Sequence, residues 1–271
     1  DYKVTGVQTC ALPILDTYSV NAGYSVPGVV TGKPIVLGGS LGRTSATGDG
    51  VAISVREALK AKGINPQSAS VAIQGFGKVG YWAALALEKL GLKVVAVSDV
   101  KGGVTGFSDV ETVARYAKEH GTVVGMPGTD ALTNTELLHL PVDVLVPAAL
   151  ADSITHSSAP GIRAKVIVEG ANAPTTPQGD EIINDKGILV VPDILANSGG
   201  VIVSYFEWVQ DKQNFFWSAD EVRENLTQIL MRSISEVSET ARSKKVTWRE
   251  AANMIGVGRV AQAHRLRGLY P

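Results

Sequence analysis

The chain has 271 residues, 45% hydrophobic and 19% charged, enough for one large or two ordinary domains with a real core. A net charge of −1 gives no electrostatic footprint for nucleic acid or an anionic membrane, and no apolar run nears the ~18 residues of a membrane span. A single cysteine, Cys10, excludes an internal disulfide and a multi-cysteine metal site; with no recognisable signal peptide, a soluble cytoplasmic protein is expected.

Residues 1–14 show no clear periodicity, and residues 15–19 read as the end of a helix. A glycine- and proline-rich connector follows from Gly23 to Gly42, the composition of a hinge or a crossing between domains. Gly28 to Lys33 approaches a phosphate-binding loop, but the spacing is one short and Pro34 stands where Ser or Thr is required. The spacing of Val51, Val55, Ala58 and Leu59 predicts a helix over 47–62, stopped by Gly63.

The densest signal comes next. An apolar run, 71–73, leads into Gln74-Gly75-Phe76-Gly77-Lys78-Val79-Gly80, and Val79, Trp82, Ala83, Ala86 and Leu90 then fall at helical spacing. In such a strand-to-helix turn the first glycine allows the tight bend, the second lets a pyrophosphate approach the backbone, and the third lets helix and strand pack closely. The helix start offers free N–H groups and a positive dipole end to the phosphates. A second apolar run, 93–98, ends in Asp99, 24 residues after Gly75, near the ~20 expected of the acid that takes the ribose hydroxyls. These features together predict dinucleotide binding; the alternative is a glycine turn required only for packing.

Ser108 with Glu111 reads as a capping box opening a helix to His120, and Thr133/Glu136, Ser218/Glu221 and Thr247/Glu250 repeat the signal, the last two ahead of long helices near 219–243 and 248–267. Short β-branched runs at 142–146, 165–168 and 188–191 alternate with helices, which predicts a doubly wound, mostly parallel α/β sheet. Small and polar residues follow each run, at the edge where open α/β sheets bind ligands. Gly199 and Gly200 open a further helix whose N–H groups are candidates to face an anion, or else form a simple turn. The four histidines lack metal spacing and are expected at the surface or in caps, and no HExxH or G-x-S-x-G is present. The sequon at Asn225 is read as accidental, and the aromatics between Tyr205 and Trp217 as core or interface packing.

Five collinear stretches, 38–48, 74–80, 146–150, 169–174 and 197–208, resemble glutamate dehydrogenase, and the likeness extends over about 15–271. Leucine and phenylalanine dehydrogenases share the glycine turn, but Ser204-Tyr205-Phe206-Glu207-Trp208 looks more like the glutamate enzymes. The resemblance implies a Rossmann-like fold and NAD-dependent oxidative deamination of L-glutamate to 2-oxoglutarate and ammonia, with NADP as a second cofactor, in a homohexamer without nucleic-acid or membrane partners. It implies that Gly75, Gly77 and Gly80 hold the pyrophosphate, that Phe76, Lys78, Val79 and Ala148 also bind the cofactor, and that Asp99 holds the adenosine ribose. Thr47, Asn172 and Asn197 would border the nicotinamide, and Val201 and Ser204 the substrate side chain. Implied divisions are 1–44, a substrate-domain remnant and hinge; 45–204, the dinucleotide domain; and 205–271, helices returning toward the first. The family's catalytic lysine and aspartate belong upstream of the matched part, so no catalytic residue is assigned here. Residues 1–14 do not resemble the family; they look like translated adapter read-through and are expected to be non-native. The readings from other classes are a leucine- or phenylalanine-type dehydrogenase and a nucleotide-binding fragment without chemistry.

Overall fold

The computed structural model describes residues 6–268, with side chains from Ala11 onward. The first helix, α1 (Gly6–Ala22), takes in most of the stretch read as aperiodic, with Pro13 inside it; residues 1–5 lie outside the described residues. It runs past Ser19, because the chain reverses only at Gly23, whose φ of 77° lets its amide return to the Ser19 carbonyl at 3.0 Å.

Seven strands form one sheet in the order β4-β3-β2-β1-β5-β6-β7. They are β1 (Ser70–Gln74), β2 (Lys93–Asp99), β3 (Gly102–Thr105), β4 (Asp130–Leu132), β5 (Val144–Pro147), β6 (Val166–Val168) and β7 (Leu189–Val191). The five from β2 across β1 to β7 run parallel, and β3 and β4 add an antiparallel edge absent from the sequence expectation. That edge begins at Gly102-Gly103, a stretch without strand propensity; pairing with Asp99 and Ser98 of β2 imposes the conformation.

Both faces of the sheet are covered, as near-continuous apolar strands require. Alternate residues go to opposite sides. Val71, Ile73, Val144, Val146, Val166 and Val168 pack with α2 (Ala46–Ala61), α3 (Lys78–Lys89), α9 (Ala219–Lys244) and α10 (Trp248–Arg267). Ala72, Leu145, Ile167 and Val190 pack with α5 (Asn134–Leu138) and α6 (Pro177–Asp185). The last two helices thus share the main core with the strands. The remaining helices are α4 (Val110–His120), α7 (Asp193–Ala196) and α8 (Gly199–Gln213); residue 204 falls inside α8.

The capping boxes at Thr133, Ser218 and Thr247 are present with both reciprocal bonds. The fourth shifts by one residue: Asp109, not Ser108, accepts the Thr112 amide, since a carboxylate one position later outcompetes the hydroxyl. Of the aromatics after Ser204, Phe206 is buried against Trp217 at 5.2 Å between ring centres, while Tyr205, Phe215 and Phe216 are exposed. His120 caps α4 by bonding the Tyr116 carbonyl, and His139 bonds the Ser158 carbonyl. No described helix is long and apolar enough to cross a membrane.

The connector is anchored by a buried cation. Lys33 Nζ donates to Glu207 Oε1 (2.6 Å), Asp211 Oδ2 (2.7 Å) and the Val30 carbonyl (3.0 Å), and Glu207 also accepts the Gly32 and Lys33 amides. All three charged side chains are essentially inaccessible. A second cation, Arg249, docks α10: its guanidinium reaches Glu169 after β6 and Asp180 on α6. Burial works against its charge, but the two carboxylates outweigh it and push its pKa above the ordinary value.

Candidate dinucleotide and substrate cleft

β1 is the switch point: the chain leaves it for β2 on one side and later returns to its other side at β5. Ligands of open α/β sheets bind beyond the carboxyl ends of the strands at such a point. Here a cleft of about 800 Å³ opens there.

The glycine turn divides its labour by position. Gly75 has a φ of 95°, and a side chain would meet the Ala149 amide nitrogen at 2.7 Å. Gly80 packs against the Gly75 carbonyl, with no room for a Cβ. Gly77 has an ordinary φ of −85°, and a Cβ there would meet nothing within 4 Å. Its neighbourhood is therefore open rather than packed, the arrangement that lets a ligand phosphate reach the backbone and the start of α3. Phe76, Gly77 and Lys78 border a second hollow, shared with Arg115 and Lys118 of α4.

Thr47, Val79, Ala148, Asn172, Asn197, Val201 and Ser204 all line the main cleft. Asn197 Nδ2 donates to Asn172 Oδ1 at 2.7 Å, which joins two walls. Gly199 and Gly200 open α8, and Gly200 lines the cleft. Side chains there would strike the Ala46 carbonyl and the Thr47 hydroxyl, so the two glycines bring the starts of α8 and α2 together and hold Thr47 in the cleft wall. Both a ligand-facing turn and a close helix crossing call for glycine, so the pair could not be told apart locally.

Among the described residues, Arg43 is the one charged side chain lining the cleft, and sequence reasoning did not single it out. Its Nε donates to Ser204 Oγ at 2.9 Å. The serine oxygen accepts this bond, which leaves its hydroxyl proton for an external acceptor such as a carboxylate. The neighbouring Gly-Gly-Ser-Leu-Gly run drew attention to itself, but nothing local tied Arg43 to a residue 161 positions away.

Asp99 ends β2, apart from the main cleft. Burial raises the pKa of its carboxyl, but hydrogen bonds from Thr122, Val123, Lys101 and Gly102 prevail and hold it below the usual value. Oδ1 takes the Lys101 amide and Oδ2 the Val123 amide, both at 2.7 Å. The acid thus ties down the turn into β3 and stays ionised.

Fold and cleft define a class, the Rossmann-type α/β proteins that hold a nucleotide at the strand switch point. The chain belongs to the Glu/Leu/Phe/Val dehydrogenase family, whose model, described as Glutamate/Leucine/Phenylalanine/Valine dehydrogenase, matches residues 38–268. Members of the glutamate dehydrogenase family use nicotinamide dinucleotides. The chain is 54% identical to glutamate dehydrogenase of Thermotoga maritima over 95% of its own length and 62% of that protein. It is 46% identical to the cryptic catabolic NAD-specific glutamate dehydrogenase GudB of Bacillus subtilis, over 94% and 60%. Among solved structures, the hetero-hexameric glutamate dehydrogenase of Thermus thermophilus in its leucine-bound form superposes with a TM-score of 0.91 at 38% identity, covering 97% of this chain and 63% of that one. The chain therefore spans about three-fifths of these relatives.

Proposed function

We propose that this chain is the dinucleotide-holding portion of a glutamate dehydrogenase that oxidises L-glutamate to 2-oxoglutarate and ammonia with NAD. The observation that carries the reading is the open space at Gly77 between the two close-packed glycines. Gly75, Phe76, Gly77, Lys78, Val79 and Gly80 would hold the pyrophosphate, and Asp99 the adenosine ribose. Thr47, Ala148, Asn172 and Asn197 would flank the nicotinamide. A bound nicotinamide supplies the acceptor for hydride from the substrate α-carbon. Ser204, held by Arg43, would donate to the glutamate side-chain carboxylate, and Val201 would border it. That charged and polar pair favours glutamate over leucine or phenylalanine, whose side chains would leave it unsatisfied. A homohexameric cytoplasmic enzyme, divided near residues 44 and 204, goes with this reading.

Among the described residues, the lining of the cleft holds no carboxylate and no lysine to carry a proton. The chain as described is expected to bind cofactor without oxidising glutamate. Calorimetric titration with NAD and with NADP tests the proposal. Asp99 should accept the ribose 2′-hydroxyl and repel a 2′-phosphate, partly offset by Lys101, so NAD should bind more tightly. Equal or tighter NADP binding would remove Asp99 as the discriminator, no binding of either would remove the reading, and glutamate-dependent NAD reduction by this chain would require an acid–base pair elsewhere in it.

A further inference from the structure

The wall of the cleft that carries Asn172 hangs from one buried carboxylate. Glu169, fully buried after β6, accepts the Thr175 hydroxyl (2.6 Å) and the Asp193 amide (2.9 Å). Asp193 in turn accepts the Ala173 amide at 2.7 Å on Oδ2, and its carbonyl accepts the Asn197 amide. Ala173 sits at a φ of 46°, in the left-handed region that residues other than glycine seldom adopt, so this hydrogen bond holds an unfavourable turn in place. Asn172 and Asn197, joined to each other, stand on either side of that chain of bonds.

Among the described residues, Glu169 has one cationic partner, Arg249. The guanidinium meets it in two parallel bonds, Nη1 to Oε2 (3.0 Å) and Nη2 to Oε1 (2.8 Å), while its Nε and Nη2 reach Asp180. Arg249 comes from α10, 80 residues downstream, and does not line the cleft. A bidentate guanidinium fixes the plane of a carboxylate as well as its charge. We propose that Arg249 is a positioning residue for the nicotinamide side of the cleft, orienting Glu169 so that Asp193, Ala173, Asn172 and Asn197 keep their binding geometry. This rests on the dinucleotide reading of the cleft. Removing the cation would leave Glu169 free to turn, which withdraws an acceptor from the Asp193 amide or the Thr175 hydroxyl.

The test compares the purified chain with its R249M and R249K forms at a temperature where all are folded. NADH affinity is read by fluorescence titration, amide exchange at Ala173 by NMR, and thermal stability by circular dichroism. A core variant away from the cleft, Leu230→Val on α9, controls for loss of stability alone. R249M is expected to weaken NADH binding about tenfold and to speed exchange at Ala173; R249K, which keeps the charge but not the fork, should fall between it and the wild type. Leu230→Val should lower the melting temperature and leave NADH affinity unchanged. If R249M fails to fold, R249K carries the comparison. Unchanged NADH affinity in the Arg249 variants, or a loss equal to that in Leu230→Val at matched stability, would reduce Arg249 to a structural pair. If the wild-type chain binds no NADH, the dinucleotide reading falls by itself, and unchanged Ala173 exchange would overturn the positioning role independently.

Discussion

At the residue scale, the three glycines of the first turn separate packing from binding. Gly80→Ala places a methyl against the Gly75 carbonyl and should destabilise the fold by about 1–3 kcal/mol or more. Gly77→Ala meets open space at a φ that alanine accepts, so its stability should change by no more than about 0.5 kcal/mol. If that space belongs to a pyrophosphate, the same substitution should weaken NAD binding about tenfold, or about 1.4 kcal/mol. Chemical denaturation and calorimetry on both variants check the contrast, and full NAD affinity in Gly77→Ala would assign the opening to solvent. Ser204→Ala is the matching probe of the substrate end. In a version extended over the full length of the relatives, it should reduce glutamate turnover more than norvaline turnover, because only glutamate presents a second carboxylate. Equal losses would make Ser204 a packing residue. The turn was legible in the sequence because each glycine acts through its own φ or its own missing Cβ. Arg43, in the turn before α2, was not legible, since its meaning lies in contact with a side chain on α8.

At the element scale, the connector and α8 are joined by one lysine facing two buried carboxylates. Burial, with Glu207 alongside, pushes the Asp211 carboxyl up despite Lys33, and among the described residues its Oδ1 has no hydrogen-bond partner. An acid with a raised folded pKa contributes most stability below its unfolded value, near 4, and loses that contribution as pH rises through the folded value. Asp211→Asn keeps an acceptor for Lys33 and leaves it balanced by Glu207, so the variant should gain on the wild type in melting temperature between pH 4 and pH 7. A constant difference across that range would mean that Asp211 does not titrate there. Lys33→Met, which strands both carboxylates, should cost about 3–5 kcal/mol at neutral pH. None of this was visible in the sequence, where Lys33 lies 174 and 178 residues from its partners. The capping boxes were visible, because Ser or Thr and Glu three residues apart complete their bonds within one turn. The edge strands β3 and β4 were missed for the opposite reason: their conformation comes from the neighbour they pair with.

At the scale of the whole molecule, the apolar runs and their helical spacers were enough to anticipate a parallel sheet covered on both faces. The strand order was not readable, since β-branched runs of similar length say nothing about which neighbours they choose. That order carries a consequence in time. From the central β1 the chain adds β2, β3 and β4 outward, each beside the one just made, and only then crosses to lay down β5, β6 and β7. The first side closes short loops; joining β5 to β1 brings Val144 to Val71, across more than seventy residues of intervening chain. Refolding should therefore begin around β1 and its first partners and finish at β7. Ile73→Val, in the middle of β1, should slow refolding by most of its equilibrium cost of about 0.5–1.5 kcal/mol. Val191→Ala, on the outer strand, should leave the refolding rate nearly unchanged and accelerate unfolding. Stopped-flow measurements on the two variants decide the sequence of events; slower refolding from the β7 substitution would reverse it. The same central strand that ends in the glycine turn would then be the first to form, and the walls around Asn172 and Asn197 would be among the last parts of the chain to become ordered.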